Sequence, residues 1–343
     1  MRAAVYYNNS DVRLEDVPKP SIGADEILVK VMASGVCGSD VLEWYRVKKA
    51  PLVLGHEIAG VVDEIGEEVD EFAVGDRIFV THHVPCNTCR YCRAGNHTVC
   101  ETLHTTNFHP GGFAEYLRVP AINVATGTFR LPDGMSFDEG TFIEPLGCVI
   151  RGQRSAGSCK GRTVLITGSG ISGLLHVMLA RATGAERVIA TDISPYKLER
   201  AKELGAHHVI DARDRVPERL RDCNEGRGAD LVIVCTGAMS AFADAMVSVD
   251  RAGSILCFAT TEPGDDLHVP INDFWRNSIT LLSSYAAAPR DLEEAIEVIG
   301  SGAVDVTRLI THRFPIERAG DAFRMMAGAD DAVKIVIYPH DNT

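Results

Sequence analysis

Four side chains that could bind a metal stand at separated places in this 343-residue chain. Cys37 lies in a Cys-Gly-Ser-Asp segment, His56 and Glu57 follow a glycine, and Glu144 precedes a proline within the apolar residues 141–150. Cysteine, histidine and carboxylate are the donors that zinc prefers, and three protein ligands with an open fourth position make a catalytic site. A carboxylate in apolar surroundings is costly unless it is paired or bound to a metal. Together the donors indicate a metal centre, whereas a single histidine or carboxylate is compatible with a structural role.

Two polar residues follow Cys37 closely. Ser39 is two residues away, so its hydroxyl is a candidate to pass on a proton from a group bound at the metal. Asp40 is one residue further along. A carboxylate that holds the second ring nitrogen of a zinc-bound histidine fixes the tautomer, and we expect this of Asp40. A turn-capping aspartate is the alternative.

A second cluster consists of cysteines alone, with the spacing C-x2-C-x2-C-x7-C. Its members are Cys86, Cys89, Cys92 and Cys100. Four thiolates so close in sequence can enclose one zinc ion tetrahedrally and leave no open position, which predicts a structural site. A nucleic-acid-binding zinc ribbon and an iron–sulfur cluster are the alternatives.

A glycine-rich segment follows the strand-like residues 162–167 and precedes the helix-like residues 174–180. It runs Gly168-Ser169-Gly170-Ile171-Ser172-Gly173. Between a strand and a helix, this pattern predicts a dinucleotide site. The first glycine makes the tight turn and the second admits the pyrophosphate, which lies at the helix N-terminus.

Three residues further along extend the predicted dinucleotide site. Asp192 ends the next strand, 19 residues after Gly173. A carboxylate there holds both ribose hydroxyls and repels a 2′-phosphate, so NAD is favoured over NADP. We expect Lys197 to cover the adenine side, and Thr236 to contact the cofactor because it follows a parallel strand.

The patterns of strands and helices suggest how these residues are positioned. Short β-branched runs at 27–31, 58–62 and 78–80 favour a Greek-key or barrel-like region. From about residue 153, strands alternate with helices as in a doubly wound, six-stranded parallel Rossmann sheet, an α/β fold. An amphipathic helix at 292–299 and a strand at 333–337 complete the chain. We therefore expect a β-rich catalytic domain at 1–152, a Rossmann domain at 153–288 and a C-terminal segment at 289–343.

Composition narrows the class of protein. The formal net charge of −13 argues against nucleic acid and anionic membranes as partners. No apolar run approaches the ~18 residues of a membrane span, and the first residues lack the apolar core of a signal peptide. Four of the ten cysteines are crowded into residues 86–100, which suits metal binding in a reducing compartment. We expect a cytoplasmic protein.

Taken together, these motifs resemble those of the zinc-containing medium-chain alcohol dehydrogenases, in particular the branch of sorbitol, threonine and secondary-alcohol dehydrogenases. The glycine spacing of residues 55–69 carries the resemblance, which extends over essentially the whole chain. It implies a GroES-like catalytic domain, to which the C-terminal segment returns, and a structural zinc lobe. It also implies NAD as cofactor, a small alcohol or ketone substrate, and a homodimer or homotetramer paired through the edges of the Rossmann sheets.

The resemblance also assigns the catalytic zinc ligands as Cys37, His56 and Glu144. In this branch an acidic residue replaces the third cysteine ligand of other alcohol dehydrogenases, although Cys148 competes for that role. Glu57 is expected as a ligand that exchanges with water during turnover. One catalytic and one structural zinc ion per chain follow from this assignment.

Three departures from the family concern the proton relay, the length of the segment between Cys37 and His56, and the substrate. Relatives carry a histidine five residues after the cysteine ligand as the outer end of a proton relay, whereas this chain has Leu42. His83, three residues before the first lobe cysteine as in threonine dehydrogenases, could act as the base instead, with a pKa near neutrality. The segment between Cys37 and His56 is also shorter than in sorbitol and threonine dehydrogenases. Residues 274–277 lack the Arg-Glu pair of sorbitol dehydrogenases.

The predicted reaction is hydride transfer between an alcohol and NAD. Zinc polarises the substrate oxygen as a Lewis acid, the alcohol carbon gives hydride to the nicotinamide, and Ser39 receives the proton. The substrate is expected to be a secondary alcohol, diol, polyol or amino alcohol. A threonine 3-dehydrogenase-like enzyme and a non-catalytic NAD-binding regulatory protein are the alternatives.

Overall fold

The chain forms two compact units, and the first unit is made of two stretches that flank the second unit in sequence. The computed structural model describes residues 1–328 and 331–340, so part of the expected segment 289–343 lies outside the described residues. Unit 1 comprises Met1–Gly147 and Ala286–Thr343, and unit 2 comprises Cys148–Tyr285. The chain therefore crosses from one unit to the other twice.

The first passage through unit 1 is rich in short strands, as the β-branched runs predict. Its strands are β1 (Arg2–Asn8), β2 (Asp11–Asp16), β3 (Ile27–Val36), β4 (Leu52–Val53), β5 (Glu57–Ile65), β6 (Arg77–Val80), β7 (Tyr116–Val119) and β8 (Thr128–Arg130). Its helices are α1 (Glu43–Arg46), α2 (Arg90–Arg93), α3 (Glu101–Thr105), α4 (Ala121–Gly127) and α5 (Phe137–Gly140). Short 3-10 turns lie at Gly38–Val41, Val47–Lys49 and His97–Val99.

Helix α6 (Ile143–Ser155) contains the point at which the chain changes units. The sequence predicts one helix ending at Glu144, but the structure has two helices with a break between them. Ser136 and Glu139 cap the start of α5 reciprocally. Pro145 falls in the first turn of α6, where no intrahelical donor is needed, so α6 continues well past it.

Unit 2 contains the parallel sheet that the sequence predicts. Its strands are β9 (Thr163–Thr167), β10 (Arg187–Asp192), β11 (His208–Asp211), β12 (Ala229–Val234), β13 (Val249–Cys257) and β14 (Thr280–Ser283). The helices between them are α7 (Ile171–Ala182), α8 (Pro195–Glu203), α9 (Val216–Cys223), α10 (Met239–Ser248) and α11 (Ile271–Asn277). The strand order β11-β10-β9-β12-β13-β14 is the doubly wound order, and every residue of β9 is buried. The Rossmann prediction is confirmed.

The chain re-enters unit 1 and completes its larger sheet. The returning elements are α12 (Pro289–Gly300), a 3-10 turn at Val306–Leu309, β15 (Ile310–Pro315), a 3-10 turn at Ile316–Arg318, α13 (Ala319–Gly328) and β16 (Lys334–Tyr338). Strand β16 inserts between β15 and β3, giving the order β15-β16-β3-β5-β6-β8, with β7 also paired to β3. Strands β1, β2 and β4 form a separate small antiparallel sheet.

The hydrophobic clusters of each unit pack against its sheets. In unit 1, the ring of Phe323 on α13 packs 5.7 Å from that of Tyr6 on β1 and 5.5 Å from that of Phe113. A second apolar cluster lies on β3, β5 and β6, and a third on the strands of unit 2. None of the helices in the described part of the chain has the length and apolarity that crossing a membrane requires.

Candidate active site and metal centres

Antiparallel pairing of β3 with β5 brings the first metal-ligand candidates together. Cys37 directly follows β3, Glu57 is the first residue of β5, and His56 precedes it. The register pairs Gly35 with Glu57, so the two strand ends lie side by side. One ligand atom each from Cys37, His56 and Glu57 lies within 4.8 Å of the others. This is a donor set and a spacing that suit a zinc ion.

Asp40 links the cysteine segment to the histidine. Its fully buried carboxylate accepts the N–H of Cys37 at 3.1 Å, and its Oδ1 lies 3.4 Å from Nδ1 of His56. Burial raises the pKa of Asp40, but the nearby charges of His56 and Arg46 outweigh it and lower the pKa overall. Burial likewise lowers the pKa of His56, but Asp40 and Cys37 outweigh it and hold the pKa well above its usual value. Asp40 thus orients His56 from the Nδ1 side, as expected, and leaves Nε2 for a metal.

Glu144 is not part of this group. Its side chain is buried near the start of α6, but among the described residues it is Glu57 that accompanies Cys37 and His56 within 4.8 Å. Cys148, the competing candidate one turn later on α6, is half-buried and is also outside the group. The geometry therefore favours Glu57 as the third ligand, and ligation by Glu144 stays a prediction.

Glu57 also forms a buried ion pair that no sequence motif predicts. Nζ of Lys334, on β16, contacts Oε2 of Glu57, and both side chains are almost completely buried. Gly35 provides the room for this pair. A Cβ added there would lie 2.5 Å from Nζ of Lys334 and 2.6 Å from Oε2 of Glu57. The position opposite Glu57 therefore excludes any larger side chain unless the pair moves.

Ser39 contacts the sulfur of Cys37 and an arginine. Its Oγ lies 3.3 Å from Sγ of Cys37 and accepts a hydrogen bond of 3.1 Å from Nη2 of Arg46. Nε of Arg46 donates to the carbonyl of Ser39 at 2.9 Å, so the guanidinium is held twice. Arg46 is a candidate site residue that no sequence motif indicated. The available signal was the basic run Arg46–Lys49 in an acidic chain, seven residues after Ser39.

Two adjacent histidines lie beside His56. The ring of His82 is 4.8 Å from that of His56 and 3.8 Å from that of His83. Burial, followed by the charges of His56 and other neighbours, lowers the pKa of His83 to about 4. This differs from the near-neutral value expected for a base, and the reason is that His83 is largely removed from water in the folded chain. His83 is therefore neutral at pH 7 and able to accept a proton, but it is a weak base.

The four lobe cysteines form a second group. Sγ of Cys89 lies 3.5 Å from Sγ of Cys92, and Sγ of Cys100 lies 3.6 Å from that of Cys86. All four sulfurs lie within 4.8 Å of one another. Hydrogen bonds from Thr88 lower the pKa of Cys86 to about 5. Four sulfurs at this spacing, with no histidine or carboxylate in the group, suit a closed structural zinc site.

The glycine-rich turn has the shape that a dinucleotide requires. Gly168 has φ +90°, and a Cβ on Gly173 would lie 1.8 Å from the carbonyl oxygen of Gly168, so both positions need glycine. Helix α7 begins at Ile171, and a Cβ on Gly170 would meet nothing within 4 Å. The backbone N–H groups of Ile171, Ser172 and Gly173 begin the helix at this open space and are available to an anion.

The other cofactor candidates surround this turn. The carboxylate of Asp192, at the end of β10, accepts the N–H groups of Ser169 at 2.8 Å and of Ser194 at 2.9 Å. Thr236, just after β12, has its Cβ 3.1 Å from the position of a Cβ on Gly168. Lys197 lies in the first turn of α8, where Ser194 caps its N–H. The structure thus brings Asp192 and Thr236 to the turn.

Comparison with known proteins gives two family matches. Residues 23–133 match the alcohol dehydrogenase GroES-like domain, and residues 172–301 match the family described as zinc-binding dehydrogenase. Sorbitol dehydrogenase of Bacillus subtilis (strain 168) is 34% identical over 99% of this chain and 98% of the relative. L-threonine 3-dehydrogenase of Alteromonas mediterranea is 31% identical over 94% of this chain and 95% of the relative.

A solved structure is similar over the same extent. A zinc-binding dehydrogenase from Sinorhizobium meliloti 1021, bound to NADP, superposes with a TM-score of 0.88 at 29% identity. The match covers 98% of this chain and 99% of that one. Sequence and structure therefore agree on the family from one end of the chain to the other.

Proposed function

Because this chain belongs to the zinc-containing medium-chain alcohol dehydrogenases, in the branch of the sorbitol and threonine enzymes, we propose that it oxidises the CH–OH group of a secondary alcohol, diol, polyol or amino alcohol with NAD. The reaction class is that of its relatives, and the substrate range is our inference. The observation that carries the proposal is the group formed by Cys37, His56 and Glu57, with the hydroxyl of Ser39 beside the sulfur of Cys37.

Two zinc sites follow from the donor sets. Cys37, His56 and Glu57 would hold the catalytic ion, with Glu144 as the alternative carboxylate, and the four lobe cysteines would hold the structural one. Zinc in the first site supplies a Lewis acid that makes the substrate hydroxyl more acidic. Three protein ligands would leave one tetrahedral position of the first ion open for a substrate, whereas four thiolates would leave none.

The chain's own residues orient the ligands and remove the proton. Asp40 fixes the ring of His56 through Nδ1, and Lys334 holds one oxygen of Glu57. Ser39 receives the proton of the substrate hydroxyl, since its Oγ is next to the ligand sulfur. Leu42 cannot pass that proton on, so His83 is the candidate for the next step. A neutral imidazole can accept it.

The preference for NAD over NADP depends on Asp192. Its carboxylate is held by two backbone N–H groups beside the glycine-rich turn, where a ribose would lie. A fixed negative charge there would repel a 2′-phosphate. One relative is bound to NADP in its solved structure, so the ratio of kcat/KM for NAD to kcat/KM for NADP in the wild type is the test of this preference.

An amino alcohol is the second candidate for the substrate. An L-threonine 3-dehydrogenase is among the relatives, at 31% identity, and His83 occupies the position that resembles that of threonine dehydrogenases. A non-catalytic regulatory protein is a more distant alternative. The donor group around Cys37 argues against it, because such a protein has no need of an open metal site.

Assembly through the edge of the parallel sheet forms part of the same proposal. β14 is the last strand in the order, and apolar side chains near it are exposed: 69% for Ile271, 77% for Trp275 and 53% for Tyr285. Pairing with a second copy would cover them, giving a homodimer or homotetramer. The ten cysteines form no disulfide among the described residues, which suits the reducing cytoplasm, where we expect the enzyme to act.

The test combines metal content with a substrate panel. Purified protein should contain about two zinc ions per chain by elemental analysis. It should reduce NAD with at least one member of a panel of diols, polyols, threonine and simple secondary alcohols. Zinc bound only at the lobe, with no NAD reduction by any alcohol, would favour the regulatory alternative.

A further inference from the structure

Arg46 brings a positive charge to the hydroxyl that receives the proton. It is the last residue of α1, and its Nε and Nη2 donate to the carbonyl and Oγ of Ser39. The side chain is 15% exposed. Two hydrogen-bonded contacts, Arg46 to Ser39 and Ser39 to Cys37, separate the guanidinium from the ligand sulfur. A substrate with its hydroxyl at the metal therefore lies within reach of this arginine.

The charge of Arg46 is not neutralised by a dedicated partner. Within the described residues its nearest carboxylate is Asp40, at 3.5 Å, and Asp40 is already engaged by His56 and the N–H of Cys37. Nη1 of Arg46 has no hydrogen-bond partner among residues 1–328 and 331–340. A guanidinium with a free donor, close to a reacting centre, is suited to bind an oxyanion through a charge-assisted hydrogen bond from Nη1.

A second cation extends the positive region. Nζ of Lys49 lies 4.9 Å from the ring centroid of Tyr45, and Cζ of Arg46 lies 4.8 Å from the same centroid. Lys49 forms no ion pair with any carboxylate in the described part of the chain. Both cations contribute to lowering the pKa of His83, so their field extends to the histidines beside the metal ligands. This positive region is notable in a chain whose net charge is −13.

We propose that Arg46, supported by Lys49, binds an oxyanion on the substrate, so that the alcohol carries a carboxylate or a phosphate close to its reacting hydroxyl. The inference rests on the proposed dehydrogenase function and narrows its substrate class to acidic hydroxy compounds. A neutral polyol would leave the free donor of Arg46 without an acceptor. An anionic substrate supplies that acceptor and offsets the two cations.

Two other roles for Arg46 predict different behaviour. As a general electrostatic aid it would lower the pKa of any alcohol, and its removal would slow neutral and acidic substrates equally. As a contact for the pyrophosphate of the cofactor, its removal would raise the KM for NAD. Only if Arg46 binds an oxyanion of the substrate should the fall in kcat/KM on replacing Arg46 depend on the charge of the substrate.

The experiment compares substrates that share a carbon chain and differ in charge: sorbitol, gluconate and sorbitol 6-phosphate. We expect kcat/KM to be highest for one of the two anions, and the arm that wins identifies carboxylate or phosphate. In Arg46→Gln, the ratio of kcat/KM for that anion to kcat/KM for sorbitol should fall about 10- to 100-fold, the effect of one charge-assisted hydrogen bond. Arg46→Lys should retain part of the wild-type preference for the anion over sorbitol. Lys202→Gln, which removes an exposed lysine of α8, is the matched control and should retain all of it.

Inorganic phosphate provides a second readout without turnover of an acid. It should inhibit sorbitol oxidation competitively with sorbitol, and Arg46→Gln should weaken that inhibition. Competition with NAD instead, or an equal loss for all three substrates in Arg46→Gln, would overturn the proposal. A wild-type enzyme that prefers sorbitol to both anions would also overturn the oxyanion proposal, but it would still be a dehydrogenase. If no alcohol of the panel supports NAD reduction, the proposed dehydrogenase function itself is wrong.

Discussion

Lys334 and Glu57 form an ion pair that is shielded from solvent, although 277 positions separate them in the chain. The pair joins the last strand of unit 1 to the first residue of β5, beside Cys37 and His56. Nζ of Lys334 also lies 5.1 Å from the ring centroid of Phe142. A buried charge is tolerated when its partner is present and is costly when the partner is removed. Removing either member of the pair alone should therefore destabilise the site.

Replacing Lys334 should destabilise the fold strongly. Lys334→Met leaves the carboxylate of Glu57 buried without a counter-ion, and we expect a loss of about 3–5 kcal/mol in the free energy of unfolding. Urea unfolding of wild type and variant, followed by circular dichroism, measures this after a chelator has removed zinc from the Cys37 site, because a zinc ion there would itself neutralise Glu57. Lys202→Met is the control, because that lysine is exposed. In the double variant, the second change Glu57→Gln should recover part of the lost stability. An unchanged urea midpoint in Lys334→Met would contradict a buried ion pair between Lys334 and Glu57.

Gly35→Ala tests the same pair without removing a charge. The added methyl would force Lys334 and Glu57 to shift, because it would lie within 2.6 Å of both. We expect lower stability and faster loss of zinc from the Cys37 site to a chelator. Gly134→Ala is the control, since a Cβ there would meet nothing within 4 Å. Equal behaviour of the two alanine variants would show that the pair tolerates displacement.

The cysteine lobe should hold a structural zinc that can be lost separately. Cys89→Ser removes one of four ligands, so we expect a lower thermal midpoint and about one zinc ion fewer per chain. The donor group at Cys37 is unchanged in this variant, and a Co²⁺ ion bound there should keep its visible spectrum. Cys223→Ser, a half-buried thiol outside both groups, should keep the full zinc content. Iron with labile sulfide in the lobe would refute the zinc assignment.

Asp192 should determine the choice of cofactor. Two ribose hydroxyls on one carboxylate make charge-assisted hydrogen bonds of about 1.5–3 kcal/mol each. Asp192→Asn keeps the size of the side chain and removes the charge, so we expect a higher KM for NAD and a smaller preference over NADP. Asp222→Asn, on the exposed face of α9, is the control. If the wild type uses NADP as efficiently as NAD, this interpretation of Asp192 is wrong.

His83 should carry the proton that Leu42 cannot. His83→Asn should lower turnover about 100-fold, a typical contribution of general acid–base catalysis, with little change in NAD affinity. Leu42→His should restore part of the rate in the double variant, because it returns an imidazole to the relay position of the family. His208→Asn, at an exposed position in unit 2, should have no effect. An unaltered rate in His83→Asn would indicate that water receives the proton from Ser39 directly.

A buried histidine in unit 2 should make stability depend on pH. Burial lowers the pKa of His176 to about 3, and its Nδ1 lies 3.1 Å from Nε2 of Gln153. In the unfolded chain its pKa is about 6.5, so below that value the unfolded state takes up a proton that the folded state does not. The contribution of neutral His176 to the free energy of unfolding is therefore complete above pH 6.5. Below that pH it falls by up to about 1.4 kcal/mol per pH unit towards pH 3. Urea midpoints at pH 7 and pH 5 should differ less in His176→Gln than in wild type, and the exposed His208→Gln should behave like wild type.

The sequence predicted those parts of the site that short motifs define. Cys37, His56 and the lobe cysteines could be selected because donor types and glycine spacing are local properties. Lys334 could not, since nothing near it in sequence indicates that β16 inserts beside β3 and brings it to Glu57. The same limit applies to His83. Burial by distant segments lowers the pKa of His83 to about 4, whereas the sequence predicted a pKa near neutrality.

Arg46 was missed for a different reason. It is close in sequence to Ser39, but a hydrogen bond between residues seven apart depends on how the 3-10 turn leads into α1, and periodicity does not predict that turn. The choice between Glu57 and Glu144 is of the same kind. Both carboxylates have the right chemistry, and only the pairing of β3 with β5 places Glu57 beside Cys37.

The position of β16 also sets the order in which the protein can be completed during synthesis. Residues 148–285 are contiguous, so unit 2 leaves the ribosome whole, while unit 1 still lacks its final strand. Until β16 emerges, the edge of β3 at Ser34–Val36 has no partner, and Glu57 has no counter-ion. An unpaired sheet edge invites association with other chains. A chain truncated before Lys334 should therefore contain a complete nucleotide-binding unit and an incomplete catalytic unit that is prone to aggregate.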